Sequence, residues 1–124
     1  MIVYDKTGNQ IDIATNNVIN SQLITTDYVD SVDVNMVRII GKIMIINFRG
    51  RLSKNIPDGG IPILFLPNGY TCRTDQMIGG MYYGSQYRIT NGCFGFFANS
   101  NEIRIQELGS GNYIHINGVI CILE

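Results

Sequence analysis

Two apolar runs, "VNMVRII" and "IMIINFR", flank Gly41-Lys42 and constrain the fold of this chain more than any other feature. Glycine at the first central position of a two-residue loop is what a type II′ hairpin turn needs, because φ is positive there. Such a turn predicts Ile40 opposite Ile43, Ile39 opposite Met44 and Arg38 opposite Ile45. With side chains alternating along each strand, one face carries Val37, Ile39, Met44, Ile46 and Phe48. The other carries Val34, Met36, Ile40, Ile43 and Ile45, interrupted by Arg38, Asn47 and Arg49. A sheet with one solvated face shows polar residues along that face. This hairpin is apolar on both, so it lies either between two layers of one domain or against another subunit. Arginines are costly inside a closed core, which favours the subunit.

The remaining segments also read as strands. Isoleucine is abundant, there are 14 glycines, and turn dipeptides recur at short intervals, a pattern of many short strands. The expected fold is an all-β antiparallel sandwich of jelly-roll type with roughly eight or more strands. Residues 1–33 are expected to form a short N-terminal hairpin and a polar connector arm, tethered by Val18, Ile19, Leu23 and Ile24, with the body at 34–124. In "IPILFLPNGY" a short buried strand stops at Pro67-Asn68-Gly69, which fits a turn with one preset φ and one positive φ, before Tyr70. "MYYGSQYRI" predicts a turn at Gly84-Ser85 with Tyr82 opposite Tyr87 and Tyr83 opposite Gln86. "CFGFFANSNEIRIQE" is a strand, a loop at Asn99-Ser100-Asn101, and a returning strand. "GNYIHINGVICILE" is either a hairpin at Asn117-Gly118 or one long kinked strand, and local chemistry prefers the hairpin.

Charge narrows the function classes. With nine scattered basic residues and a net charge of −1, the chain lacks the basic stripe that phosphate recognition requires, so no nucleic-acid partner is expected. The first residues lack a basic segment followed by an apolar one, and no window reaches the roughly 18 apolar residues of a spanning helix. The chain therefore reads as soluble, without signal peptide or membrane insertion. Cys72, Cys93 and Cys121 form no Cys-x-x-Cys pair and are expected as buried reduced thiols, so no metal or other cofactor is expected.

An enzyme is not expected. His115 alternates with Ile114 and Ile116 and reads as an interior or interface imidazole. A hairpin at Asn117-Gly118 would set it across from Ile120, with Cys121 on the opposite face. Asp27, Asp30 and Asp33 lack the glycine turn of a calcium loop and read as solvated charge. Glu102 and Glu107 differ by an odd number and face opposite sides of a strand, which excludes a carboxylate pair. Binding has more support. Sugar sites combine an aromatic face with planar amides, and Tyr82, Tyr83, Tyr87, Asn91, Asn99 and Asn101 are the candidate ligand-binding residues.

Three pieces in order, "VRIIGKIMIINFRGRL", "IPDGGIPILFLPNGY" and "GNYIHINGVICIL", resemble the C-terminal receptor-binding head domains of tail-fibre and tail-tip proteins of tailed bacteriophages and prophages. The resemblance covers roughly residues 33–124 and departs after Tyr70, where Thr71, Cys72 and Arg73 stand in place of a proline. It implies a homotrimeric β-sandwich on a virion tail, made in the host cytoplasm, that binds host cell-surface saccharide beside other tail proteins. It also implies that Tyr70 packs as a corner plug.

Overall fold

The computed structural model describes residues 2–4, 6–12, 17–53, 61–83, 88–107 and 112–123. These residues form strands and turns without a helix, so the expectation of an all-β antiparallel fold holds. The strands are β1 (Ile2–Tyr4), β2 (Gln10–Asp12), β3 (Val18–Ser21), β4 (Ile24–Thr25), β5 (Val29–Ile40) and β6 (Ile43–Leu52). There follow β7 (Pro62–Phe65), β8 (Thr71–Cys72), β9 (Gln76–Tyr83), β10 (Arg88–Phe96), β11 (Glu102–Glu107) and β12 (Tyr113–Leu123). β1 and β2 pair as a separate ribbon. The others form one sheet in the order β3-β5-β6-β12-β9-β10-β11-β7-β4, with β8 alongside β12.

This order forces the sheet to curl. β3 and β4 occupy its opposite ends, yet only Gln22 and Leu23 separate them in the chain. Three backbone steps span at most about 11 Å, so the two edges must face each other across that gap. The result is a curled antiparallel half-barrel with its core on the concave side. Leu23 is buried in that core, and the half-buried Asn35 amide holds its backbone from both sides. The amide donates to the Leu23 carbonyl at 2.9 Å and accepts from the Leu23 N–H at 2.8 Å. Thr26 Oγ1 donates to the Ile63 carbonyl at 2.7 Å on the far edge. Residues 18–25 thus form a clasp. Of the expected tethers, Leu23 alone is buried, while Val18, Ile19 and Ile24 remain exposed.

The central hairpin has the predicted register, Ile40 with Ile43, Ile39 with Met44 and Arg38 with Ile45. Gly41 has φ +57° and Lys42 is not in the positive region, as a type II′ turn requires. Val37, Ile39, Met44, Ile46 and Phe48 are all buried. Phe94 and Phe96 from β10 join Phe48 among the largest buried side chains, and each contributes about 1.5–3 kcal/mol by burial. After β7, the Tyr70 N–H donates to the Pro67 carbonyl at 3.3 Å, and Gly69 has φ +92°. Pro67 therefore occupies the first corner of the turn and Asn68-Gly69 its centre. Tyr70 is partly buried against the core.

Three local readings are corrected. β12 is one continuous strand that pairs with β6 straight through Asn117 and Gly118, so there is no hairpin at that dipeptide. Gly118 has a distant neighbour: a methyl group there would lie 2.9 Å from Ile78 Cδ1, so that side chain would have to shift. His115 and Cys121 consequently share a face, but six residues of strand, roughly 20 Å, keep them apart. In the second correction, Tyr82 pairs with Ile89 and Tyr83 with Arg88, in place of Tyr87 and Gln86. The Gly84-Ser85 turn itself lies outside the described residues.

The third correction concerns the thiols: Cys72 is buried, Cys93 half-buried and Cys121 exposed. Because β12 does not turn back, Cys121 points to the convex side. Burial pushes the Cys72 thiol above its ordinary value of 9.0, even though the Gln76 amide donates to Sγ at 3.0 Å. A native-state thiol reagent should modify Cys121 promptly and Cys72 roughly a hundredfold or more slowly, as mass spectrometry of timed samples would show. The raised Cys72 value also has a sign. Its contribution to stability is complete below the ordinary thiol value and is lost as pH climbs through the folded one.

Candidate functional site

Of the six candidate residues, the five that are described do not gather at one turn. Tyr82 and Tyr83 end β9, and Asn91 lies in a bulge of β10, where Thr90 pairs with Met81 and Cys93 with Gly79. Their backbones are described and their side chains are not, and Tyr87 lies outside the described residues. Asn99 and Asn101 stand in the turn at the other end of β10. Five residues of strand, roughly 17 Å, separate Asn91 from Phe96 before that turn even begins. The described candidates therefore lie at the two ends of the strand.

The β10–β11 turn is the more completely built of the two ends. Its backbone is pinned from behind by residues distant in sequence. The Ala98 N–H donates to Asp75 Oδ1 at 2.9 Å, and the Asn99 N–H to the Cys72 carbonyl at 2.8 Å. In return, the Cys72 N–H donates to the Ser100 carbonyl at 2.9 Å and the Leu66 N–H to the Asn101 carbonyl at 2.7 Å. Within the turn, the Ser100 N–H reaches the Phe97 carbonyl at 3.1 Å, and the Glu102 N–H reaches Ser100 Oγ at 3.1 Å. Asn99 has φ +59°, a conformation asparagine tolerates better than most residues.

On the convex side of this turn lies an open hollow of about 470 Å³, lined by Phe97, Ser100, Glu102, Arg104 and Gln106. Strand alternation explains the lining, because Ile103 and Ile105 are buried and their neighbours must face outward. Gly95 lies beneath two of these side chains. A methyl group there would lie 2.4 Å from Gln106 Cγ and 3.0 Å from Phe97 Cζ, so both side chains rest directly on bare backbone. Arg104 donates to Glu102 Oε2 from Nε at 3.0 Å and from Nη2 at 2.5 Å. Both bonds fall on the same carboxylate oxygen. None of the five was singled out as a binding residue from sequence, although Asn99 and Asn101 flank them. The available signal was Phe97 followed by alternating Glu102, Arg104 and Gln106.

A second surface is the convex face of β3, β5, β6 and β12. Its rows follow from the registers: Arg38, Ile45 and Val119; Met36, Asn47 and Asn117; Val34, Arg49 and His115; then Arg51 and Tyr113. Toward the Gly41 end the face is apolar, with Val119 56% exposed, Met36 48% and Ile43 38%. A depression of about 240 Å³ among Met36, Arg38, Ile45, Asn47 and Asn117 marks its middle. The other end is polar. There β5 gains an extra residue twice relative to β6, at Asp30 and at Asp33. Asp33 Oδ2 lies 3.4 Å from Arg49 Nε, and Asp30 Oδ2 lies 3.5 Å from Arg51 Nη2. These part-exposed pairs add at most about 1 kcal/mol each and serve mainly to aim the side chains. Two of the three evenly spaced aspartates thus answer arginines on the next strand.

Comparison with protein-family models, with curated proteins and with solved structures finds no match to this chain.

Proposed function

We propose that this chain is a non-catalytic, oligomeric receptor-binding head of the phage-tail kind that its sequence resembles, recognising host surface saccharide. One observation carries the reading: the convex four-stranded face is apolar at its hairpin end and polar at the other. Three strands about 4.8 Å apart and at least about 33 Å long, with the four-residue β3 beside them, present a surface of the order that one partner contributes to a standard interface. A mixture of exposed isoleucine, valine and methionine with a charged border is the composition of such a surface. In this reading the curled sheet is the counterpart of the jelly-roll sandwich head, three copies close around an axis near the Gly41 hairpin, and the assembly sits on a virion tail beside other tail proteins. Several copies on one particle then raise the avidity of individually weak sites.

The interface part is tested at Ile45, in the middle of the face. Ile45→Asp places a carboxylate among apolar contacts and should convert a trimer into a monomer without altering the far-ultraviolet circular dichroism. Light scattering that finds the wild type monomeric at micromolar concentration would sink the oligomer. Binding is tested by presenting the wild-type chain to an array of bacterial surface polysaccharides. A second reading, an assembly component without a ligand of its own, draws on the distribution of the five described candidate residues between the two ends of β10. Silence across the array from an intact oligomer is the outcome that selects it.

A further inference from the structure

We propose that the hollow over Gly95 is a subsite for one neutral sugar ring, an assignment that rests on the saccharide-binding reading above and locates it. Three features of the hollow specify the ligand. Phe97 offers a half-buried aromatic surface at its edge, suited to the apolar face of a pyranose. Glu102 and Arg104 are ion-paired, so opposite charges meet within the site, which favours a hydroxylated ligand over an ionic one. The Ser100 oxygen already accepts from the Glu102 N–H, which leaves its own hydroxyl proton to donate, and the exposed Gln106 amide both donates and accepts. Alternating donors and acceptors on this scale match the vicinal hydroxyls of a single ring.

The hollow is also pre-arranged. Three backbone bonds to Leu66 and Cys72 and one from the Ala98 N–H to the Asp75 carboxylate hold the turn in place, so binding need not order the loop that forms one wall. Its volume of about 470 Å³ lies within the range usual for small-ligand sites. The groove at the clasp, lined by Gln22, Leu23, Pro67, Asn68 and Tyr70, has an aromatic and two amides but no charged group. The depression around Asn47 lies on the proposed subunit interface.

The test uses the full chain in its oligomeric state on the same polysaccharide array, followed by titration of the strongest-binding polysaccharide into each variant. Phe97→Ala and Gln106→Ala should each weaken binding roughly tenfold. Gln22→Ala, in the clasp groove, should leave it unchanged. Gln106 is exposed, so its truncation carries no folding risk even if Phe97→Ala perturbs the turn. If the wild type binds and Gln106→Ala and Phe97→Ala both bind within twofold of it, the subsite is overturned while the saccharide reading stands. Loss of binding in Gln22→Ala alone moves the site to the clasp. If the wild-type oligomer binds no polysaccharide, the saccharide reading falls and the subsite falls with it.

Discussion

Gly80→Ala should lower the melting temperature by about 10–20 °C, while Gly79→Ala should leave it unchanged or slightly raised. The two glycines are adjacent in β9 but meet different surroundings. At Gly79 a methyl group would find nothing closer than the Gly92 carbonyl oxygen at 3.8 Å. At Gly80 it would lie 2.3 Å from the His115 carbonyl oxygen, a backbone atom that cannot swing aside. Gly80 also has φ +150°, a region that side chains other than hydrogen rarely enter. Overlap and backbone strain together cost about 3–5 kcal/mol, a large fraction of the usual 5–15 kcal/mol of domain stability. Thermal unfolding of the pair decides the matter. Equal melting temperatures would mean that the His115 carbonyl does not approach Gly80 as closely as this.

Asn35→Ala should destabilise the protein by about 2–4 kcal/mol, and the loss should be felt first at the clasp. The variant removes a donor and an acceptor that together bracket Leu23. Both Leu23 backbone groups then lose their partners at a buried residue. Hydrogen exchange should show the Leu23 amide losing protection before the amides of β6. Asn35→Asp keeps the acceptor but opposes a carboxylate to the Leu23 carbonyl, so it should not rescue stability. Unchanged protection at Leu23 in Asn35→Ala would falsify the clasp. The same device recurs at Gln76, whose side-chain oxygen accepts from the Cys121 N–H at 3.0 Å and whose amide donates to the Cys121 carbonyl at 3.2 Å. In both places a planar amide does the work of a neighbouring strand.

What sequence discloses here depends on the range of the cause. The Gly41 turn and the alternation around it are local, so register and both faces of β5 and β6 were legible in full. Asn117-Gly118 has the chemistry of a turn, yet it lies within a continuous strand, with Ile78 packed against Gly118 from β9. No local pattern discloses that contact. The same error displaced Cys121, since the face of every later residue in β12 depends on whether the strand turns. The proposed subsite was half legible. Asn99 and Asn101 flank the turn beside it, but Phe97 and Gln106 come together because both rest on Gly95, whose lack of a side chain makes room for them. The tyrosines near Gly84 were drawn into the same cluster because nearness along the chain is a poor guide to nearness along an extended strand.

The clasp has a consequence for behaviour in solution. An open sheet ends in two raw margins of unpaired amides and carbonyls, and such margins recruit strands from other molecules into aggregates. Here the strands at the two ends of the order are four and two residues long, and a single stretch of chain supplies both. The long strand β5 and the return strand β7 are each screened along part of their length by the same clasp. With charged residues at only 15% of the chain, electrostatic repulsion offers little protection against such recruitment. Keeping this protein dispersed thus falls to two backbone residues, Gln22 and Leu23, and to the one amide that holds the second of them in place.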